Sequence, residues 1–252
     1  MYYYIFDQPQ GANEYQRTAQ IKERLGALGI AGEMTTPVPG RSVQDLVHNA
    51  VAKRYATIVA VGGIALINQV ARAIEPYDLV LGIIPLQENG DINSLIGSAT
   101  WEDAAEQLKK RRWQSVRLGM MQEGICFLTP ATISVPVGMP VSLSTPDFQL
   151  TEKNGAEITV TTVRGESAEV SRLQVSIVPH ALKRGFLKGL MGGTTKAPTE
   201  SCFTVSEVTI APTEPLPVHV AGESITVTPL HCSTQEKPVR LIVARGAAPK
   251  AA

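Results

Sequence analysis

The sequence predicts an N-terminal α/β domain built on a parallel sheet, followed by an all-β, sandwich-like domain. Three observations carry this expectation. In the first half, short apolar strands alternate with helices whose apolar residues recur at the helical period. The strands there are apolar on both faces, as in a parallel sheet covered by helices. From about Trp113 onward the period drops to two, and Pro and Gly punctuate the segments. The expected division is 1–112 for the α/β domain, 113–246 for a reduced β-sandwich and 247–252 for a disordered tail.

The elements follow in order. Tyr2–Phe6 reads as an opening strand. Glu14 to Leu28 is helical, with Ile21, Leu25 and Leu28 on one face and Gly29 as the stop. Ser42 starts a second helix, and Asp45 stands where a capping box needs an acid; Val43, Leu46, Val47, Ala50 and Val51 form its buried stripe. Thr57–Val61 is a β-branched strand, and Ile67, Val70, Ala71 and Ile74 line the helix after it, closed by Pro76. Leu79–Ile84 is another buried strand. Thr100 caps a helix that runs through Arg112, with Asp103 at its third position. In the second half, Glu157–Val163, Arg172–Val178, Phe203–Ile210, Ser224–Thr228 and Val239–Ala244 read as strands, and Ala181 to Met191 reads as a helix.

Composition narrows the function classes. An apolar fraction of 44% supports a packed core, and 23 basic residues balance 23 acidic ones, so no global field favours nucleic acid. The start, MYYYIFDQP, lacks the basic and long apolar regions of a secretory signal, and no apolar run is long enough for a membrane span. A soluble, cytoplasmic protein is expected. Cys126, Cys202 and Cys232 are scattered and read as free buried thiols; His231 beside Cys232 reads as a polar pair at a strand end, and no metal ligands are assigned. Lys183, Arg184 and Lys188 accompany Phe186, Leu187, Leu190 and Met191, which suits a basic helix lying on an anionic lipid or membrane surface. The preferred reading is a helix packed on the β domain with its lysines in solvent, because the segment is barely three turns long.

The chemistry-bearing feature is the stretch TIVAVGGIALINQVARAI, residues 57–74. A strand ending in Gly62–Gly63 and feeding a helix can aim backbone N–H groups at an anion, aided by the helix dipole. The same turn can also join strand to helix and bind nothing. It is neither the dinucleotide fingerprint nor a P-loop, since the third glycine and the Lys-Ser/Thr pair are absent. Together with LGIIPLQENGDINSLIG, it resembles the diacylglycerol-kinase-like lipid kinase family, whose members carry Gly-Gly-Asp-Gly-Thr, then Asn-Glu-Val, and later Pro-Leu-Gly-Thr-Gly-Asn-Asp. FDQPQGANEYQ resembles the family's opening segment, PLPVHVAGESITVTP its late Asp-Gly-Glu region, and KPVRLIVARG its closing strand. The resemblance implies a fold related to that of NAD kinases, ATP with magnesium as cofactors, and transfer of a phosphate to a lipid hydroxyl. It places nucleotide-binding positions at Gly62, Gly63, Asn68, Gly11, Thr36 and Asp91.

The departures from the family fall on its chemistry. Ile64 stands for the family's acid, Ala65 for its next glycine, Leu66 for its threonine and Gln69 for its glutamate. Gln87, Glu88, Asn89 and Gly90 replace Gly-Thr-Gly-Asn, and Asp7 replaces an asparagine. The family's catalytic carboxylate falls on Val170, which has no proton acceptor; Glu169 lies one residue away. No catalytic residue is therefore assigned. The preferred expectation is a lipid-kinase relative with degenerate catalytic motifs, retaining an anion or nucleotide pocket or serving as a binding module. The alternative is an active ATP-dependent kinase for a diacylglycerol-like hydroxyl, with Asp7, Asp91, Glu169 and Glu223 as candidate acids. Another phosphorylated small molecule in the interdomain cleft is the third possibility.

Overall fold

The computed structural model describes residues 1–163, 172–180, 200–235 and 237–245. The N-terminal layer is an alternation of β1 (Tyr2–Phe6), α1 (Ala12–Ala27), β2 (Glu33–Thr35), α2 (Val43–Ala52), β3 (Thr57–Gly62), α3 (Ile64–Ile74), β4 (Val80–Pro85), α4 (Gly90–Ile96), α5 (Trp101–Lys110) and β5 (Trp113–Val116). Its sheet runs β2-β1-β3-β4, then the closing strand Val239–Ile242, then β5. All neighbours are parallel except the last pair, so the sheet is mixed and mostly parallel.

Every residue of β1 and β3 is buried, which is why those segments read as apolar on both faces. Two of the three tyrosines of β1 suit this position because their hydroxyls find partners: Tyr2 donates to the carbonyl of Leu108 at 2.5 Å and Tyr4 to that of Ile30 at 2.6 Å, while the buried Tyr3 hydroxyl has none. The helix signals also take the expected form. Ser42 and Asp45 exchange both hydrogen bonds of a capping box, and Thr100 accepts from the Asp103 N–H. Three elements of this layer escaped the sequence reading, β2 with three residues, β5 with four and α4 with seven; all are too short to establish a period.

The second half holds two antiparallel six-stranded sheets. One runs Gln149–Glu152, Val141–Ser144, Val208–Pro212, Leu230–Thr234, Gly119–Met121 and Cys126–Phe127; the other runs Ser201–Val205, Leu173–Pro179, Ala156–Thr162, Ala131–Val135, Pro217–Val220 and Glu223–Val227. Alternation is clear in Ala156–Thr162, where every second residue is buried. The expected strand Phe203–Ile210 is two strands, one in each sheet, so the chain changes sheets between Val205 and Val208. Phe148 and Phe203 meet edge to face at 5.1 Å, joining the rims of the two sheets.

The α/β sheet draws strands from both sides of residue 113: β5 and Val239–Ile242 close it after the chain has built the β region. The two parts also touch through α3, where Cys126 Sγ donates to the Asn68 carbonyl at 3.1 Å and Arg72 to Gln235 Oε1 at 3.3 Å. Cys126 and Cys232 are buried as expected, and burial pushes their thiols up to about 11 and about 12 respectively. Cys202 is instead exposed, because it lies on Ser201–Val205, at the end of the sheet order. The expected helix Ala181–Met191, the tail 247–252, Glu169 and Val170 lie outside the described residues.

Candidate functional site

The site forms where the carboxyl ends of β1, β3 and β4 meet a hairpin of the β region. The parallel register pairs Phe6 with Val61 and Gly62 with Pro85, so the loops after these three strands open side by side. The ladder continues one step, with the Asp7 N–H donating to the Val61 carbonyl at 2.8 Å. Asp7 therefore stands beside Gly62. A methyl group on Gly62 would lie 2.8 Å from Asp7 Cβ, from Asp7 Oδ2 and from Leu66 Cδ2, so only glycine fits there.

A cleft of about 220 Å³ opens at this point, lined among others by Asp7, Glu14, Gly62, Gly63, Ile64, Glu88, Asn89 and Glu223. Four carboxylates face it, and no lysine, arginine or histidine is among its described lining residues. A Cβ on Gly63 would lie 3.6 Å from Glu223 Oε1 and 3.8 Å from Asp7 Oδ2. Glu223 arrives from the β region on the hairpin between Pro217–Val220 and Glu223–Val227, whose two turn residues, Ala221 and Gly222, have φ of 50° and 87°. Positive φ at both positions is the geometry of a tight two-residue hairpin, and it strains the non-glycine Ala221.

Several N–H donors around the cleft have partners within the chain. The Gly63 N–H donates to Asp7 Oδ2 at 3.2 Å, and α3 has no side-chain cap of its own. Asn89 caps α4: its Oδ1 accepts from the Asp91 and Ile92 N–H groups at 3.1 Å each, while its Nδ2 donates to the Ala221 carbonyl at 2.8 Å. Glu14 accepts from the Gln10 N–H at 2.6 Å and from the Gln87 amide at 2.7 Å. These two bonds, the backbone one foremost, hold the Glu14 carboxyl below the usual carboxylate range.

The positions expected from the sequence are only partly brought together. Gly62 and Gly63 line the cleft. Gly11 lies at the start of α1, in an adjoining groove of about 520 Å³ that also holds Arg17. Asn68 is buried in α3, with its carbonyl turned to Cys126 and its side-chain oxygen unpartnered. Thr36, just after β2, and Asp91, in the exposed first turn of α4, are not among the cleft's described lining. Ile64 is 1% exposed and presents no oxygen; Ala65 lies within α3 and needs no positive φ. The sequence reading missed the pairing of Asp7 with Gly63, the bridge at Glu14 and the double role of Asn89. Only the last had a local signal, an Asn placed just before Gly-Asp and an apolar residue.

Residues 3–121 match the family model described as the diacylglycerol kinase catalytic domain. No curated protein sequence matches the chain. Among solved structures, a candidate diacylglycerol kinase from Bacillus anthracis str. Sterne superposes with a TM-score of 0.71 at 14% identity, covering 98% of both chains. A diacylglycerol kinase structure from the same organism gives 0.67 at 14% identity with the same coverage. Yeast NADH kinase complexed with NADH is more distant, with a TM-score of 0.54 and 9% identity over 97% of this chain and 84% of that one. At these identities the structures establish a shared fold, and residues 3–121 are similar to the diacylglycerol kinase catalytic domain.

Proposed function

We propose that this chain is a lipid-kinase-family protein that does not transfer phosphate from ATP, and that it keeps the interdomain cleft as a binding or assembly surface. One observation carries the reading. The Gly63 N–H is occupied by Asp7 and the Asp91 and Ile92 N–H groups of α4 by Asn89, while Glu14, Glu88 and Glu223 add negative charge to the same cleft. A magnesium-bound triphosphate fits this lining poorly. It would meet four carboxylates and no cationic side chain among the described lining residues, and Ile64 offers no oxygen to a metal. Two unit charges 4 Å apart repel by about 4 kcal/mol at an effective dielectric of 20, as an illustrative scale.

The test is direct. Purified protein is incubated with Mg-ATP and diacylglycerol in mixed micelles, and phosphatidate is measured. The expected result is no product above background, with Gly63→Arg indistinguishable from the wild type. Product that Gly63→Arg abolishes would overturn the reading.

A second reading has one specific support: Asp7 Oδ2 and Glu223 Oε1 both lie close to Gly63. Under it, these acids hold a divalent cation and the protein is an active kinase for a diacylglycerol-like hydroxyl. It predicts metal-dependent turnover lost in both Asp7→Asn and Glu223→Gln. No described helix is long and apolar enough to cross a membrane.

A further inference from the structure

We infer that a second opening, at the β5 edge of the α/β sheet, is a binding site for a phosphate monoester. It shares no described lining residue with the acidic cleft, and the inference stands whether or not that cleft turns over ATP. The closing strand Val239–Ile242 runs parallel to β4, with Arg240 opposite Val80, and antiparallel to β5. Hydrogen bonds continue past it: the Val243 N–H donates to the Arg112 carbonyl at 3.0 Å and the Ala244 N–H to the Ile96 carbonyl at 2.9 Å. Register thus brings Arg112 and Arg245 together beyond the carboxyl end of the closing strand, the end at which α/β sheets hold ligands. Lys110, from the last turn of α5, joins them around a cavity of about 320 Å³, the small end of the range for ligand pockets.

The walls of this cavity are held in place. Gln107 is 8% exposed and donates to the Gly97 carbonyl at 3.3 Å and to Ser98 Oγ at 2.5 Å, which ties α5 to the end of α4. Between Lys110 and Arg112 the chain turns through Arg111, whose φ of 52° is left-handed and unfavourable for a residue with a side chain. Arg111 is anchored there: its Nε donates to the Tyr2 hydroxyl at 2.9 Å, and its guanidinium lies 5.0 Å from the Tyr2 ring. Its charge is spent on position, and its two neighbours line the cavity. The charges leave a surplus. Glu106 on the wall is paired with Arg24 at 2.7 Å. Among the described residues, Lys110, Arg112, Arg245 and Asp103 have no ion-pair partner. The helix dipole accounts for Lys110 at the end of α5, and for neither arginine. Three cations against one carboxylate leave two positive charges, the complement of a phosphate monoester dianion. Arginine forks suit phosphate oxygens in geometry as well as in charge. The ester is either a free small molecule or the headgroup of a phospholipid.

Two arms test this on the full chain and separate the sources: calorimetric titration with glycerol 3-phosphate, and co-sedimentation with phosphatidylcholine vesicles with and without phosphatidate. Heat of binding in the first arm assigns the site to a free ester; sedimentation with phosphatidate-bearing vesicles alone assigns it to a headgroup. In whichever arm binds, Arg112→Gln and Arg245→Gln are each expected to weaken the interaction at least about tenfold. Lys110→Gln is expected to weaken it about threefold, since an ammonium offers a point charge and no fork. Asp103→Asn is expected to tighten it about threefold by removing the one unpaired carboxylate. Lys153→Gln removes an exposed positive charge from the β region and is expected to leave the affinity unchanged. Thermal melts show that each variant is folded, and should one arginine variant not fold, the other decides. Binding in neither arm, undiminished binding by the folded arginine variants, or an equal loss in Lys153→Gln would overturn the inference.

Discussion

Two strand-to-helix turns face the same cleft and solve one problem in different ways. Both bring a helix N-terminus to the carboxyl end of a parallel strand, and both must satisfy N–H groups that the helix leaves free. After β4 the answer is local: Asn89 folds back on the Asp91 and Ile92 N–H groups. After β3 it is long-range: Gly63 has no side chain to offer, and Asp7 comes across from β1. A local cap depends on one side chain. A cap borrowed from another strand depends also on the space around it, so the β3–α3 turn is expected to tolerate less change.

The strongest challenge to that comparison is Ile64→Asp, which restores an acid at the position expected from the family. Ile64 is 1% exposed, and a second carboxylate would enter beside Asp7 with no cationic side chain among the described lining residues. A cost of about 3 kcal/mol or more is expected, seen as a lower Tm and earlier denaturant unfolding, with no phosphatidate formed. Unchanged stability would mean that the turn accepts a charge and that its closure by Asp7 is not as tight as argued.

Gly62→Ala comes next. Its new methyl group would meet Asp7 and Leu66 at 2.8 Å, a degree of overpacking that typically costs about 1–3 kcal/mol. Chemical denaturation measures the loss. Because Asp7 must shift, the same variant is also expected to lose protection at the Gly63 amide.

Asn89→Ala tests the local cap. It removes the acceptor for two N–H groups of α4 and the donor to Ala221, so about 1–2 kcal/mol should be lost. Asn89→Asp separates the two roles, since it keeps the cap and lacks the donor. If Asn89→Asp is as stable as the wild type, the tie to the Ala221 hairpin adds little and the cap accounts for the effect.

The two turns also explain what the sequence could reveal. Strands β1 and β3, the Ser42–Asp45 capping box and the Thr100 cap are legible because their signals are local: runs of apolar residues, or a cap three positions from its partner. The Gly62–Gly63 turn is legible for the same reason. What occupies it is not, because Asp7 reaches Gly63 only through the register of β1 on β3. Glu223 likewise reaches the cleft only once the β region is placed by contacts such as Asn89 to Ala221. The splitting of residues 203–210 between two sheets had no periodic signal, since an apolar-alternating run looks alike whichever sheet its parts join.

A third turn, after β1, adds a pH-dependent arm. Glu14 bridges the Gln10 N–H and the Gln87 amide, and its folded-state value is depressed. A depressed carboxyl contributes stability that is present above its unfolded value and is lost as pH falls through the folded value. Glu14→Gln should therefore be less stable than the wild type near neutrality, and the two should converge in acid. The effect is small, because Glu14 is partly solvated; equal stability at every pH would show that the bridge is decorative.

The smallest expected effect is the most discriminating. Gly90 starts α4 as Gly62 ends β3, yet a Cβ on Gly90 would meet nothing within 4 Å, and its φ is not positive. Gly90→Ala should therefore be neutral or stabilising by up to about 0.5–1 kcal/mol, through loss of unfolded-chain freedom. Paired with Gly62→Ala, it asks whether the two turns differ in kind. Opposite signs in one denaturation series would place the constraint in the space taken by Asp7 and Leu66, whereas a shared loss would assign it to glycine's backbone at both sites and remove the steric case for a turn closed by Asp7.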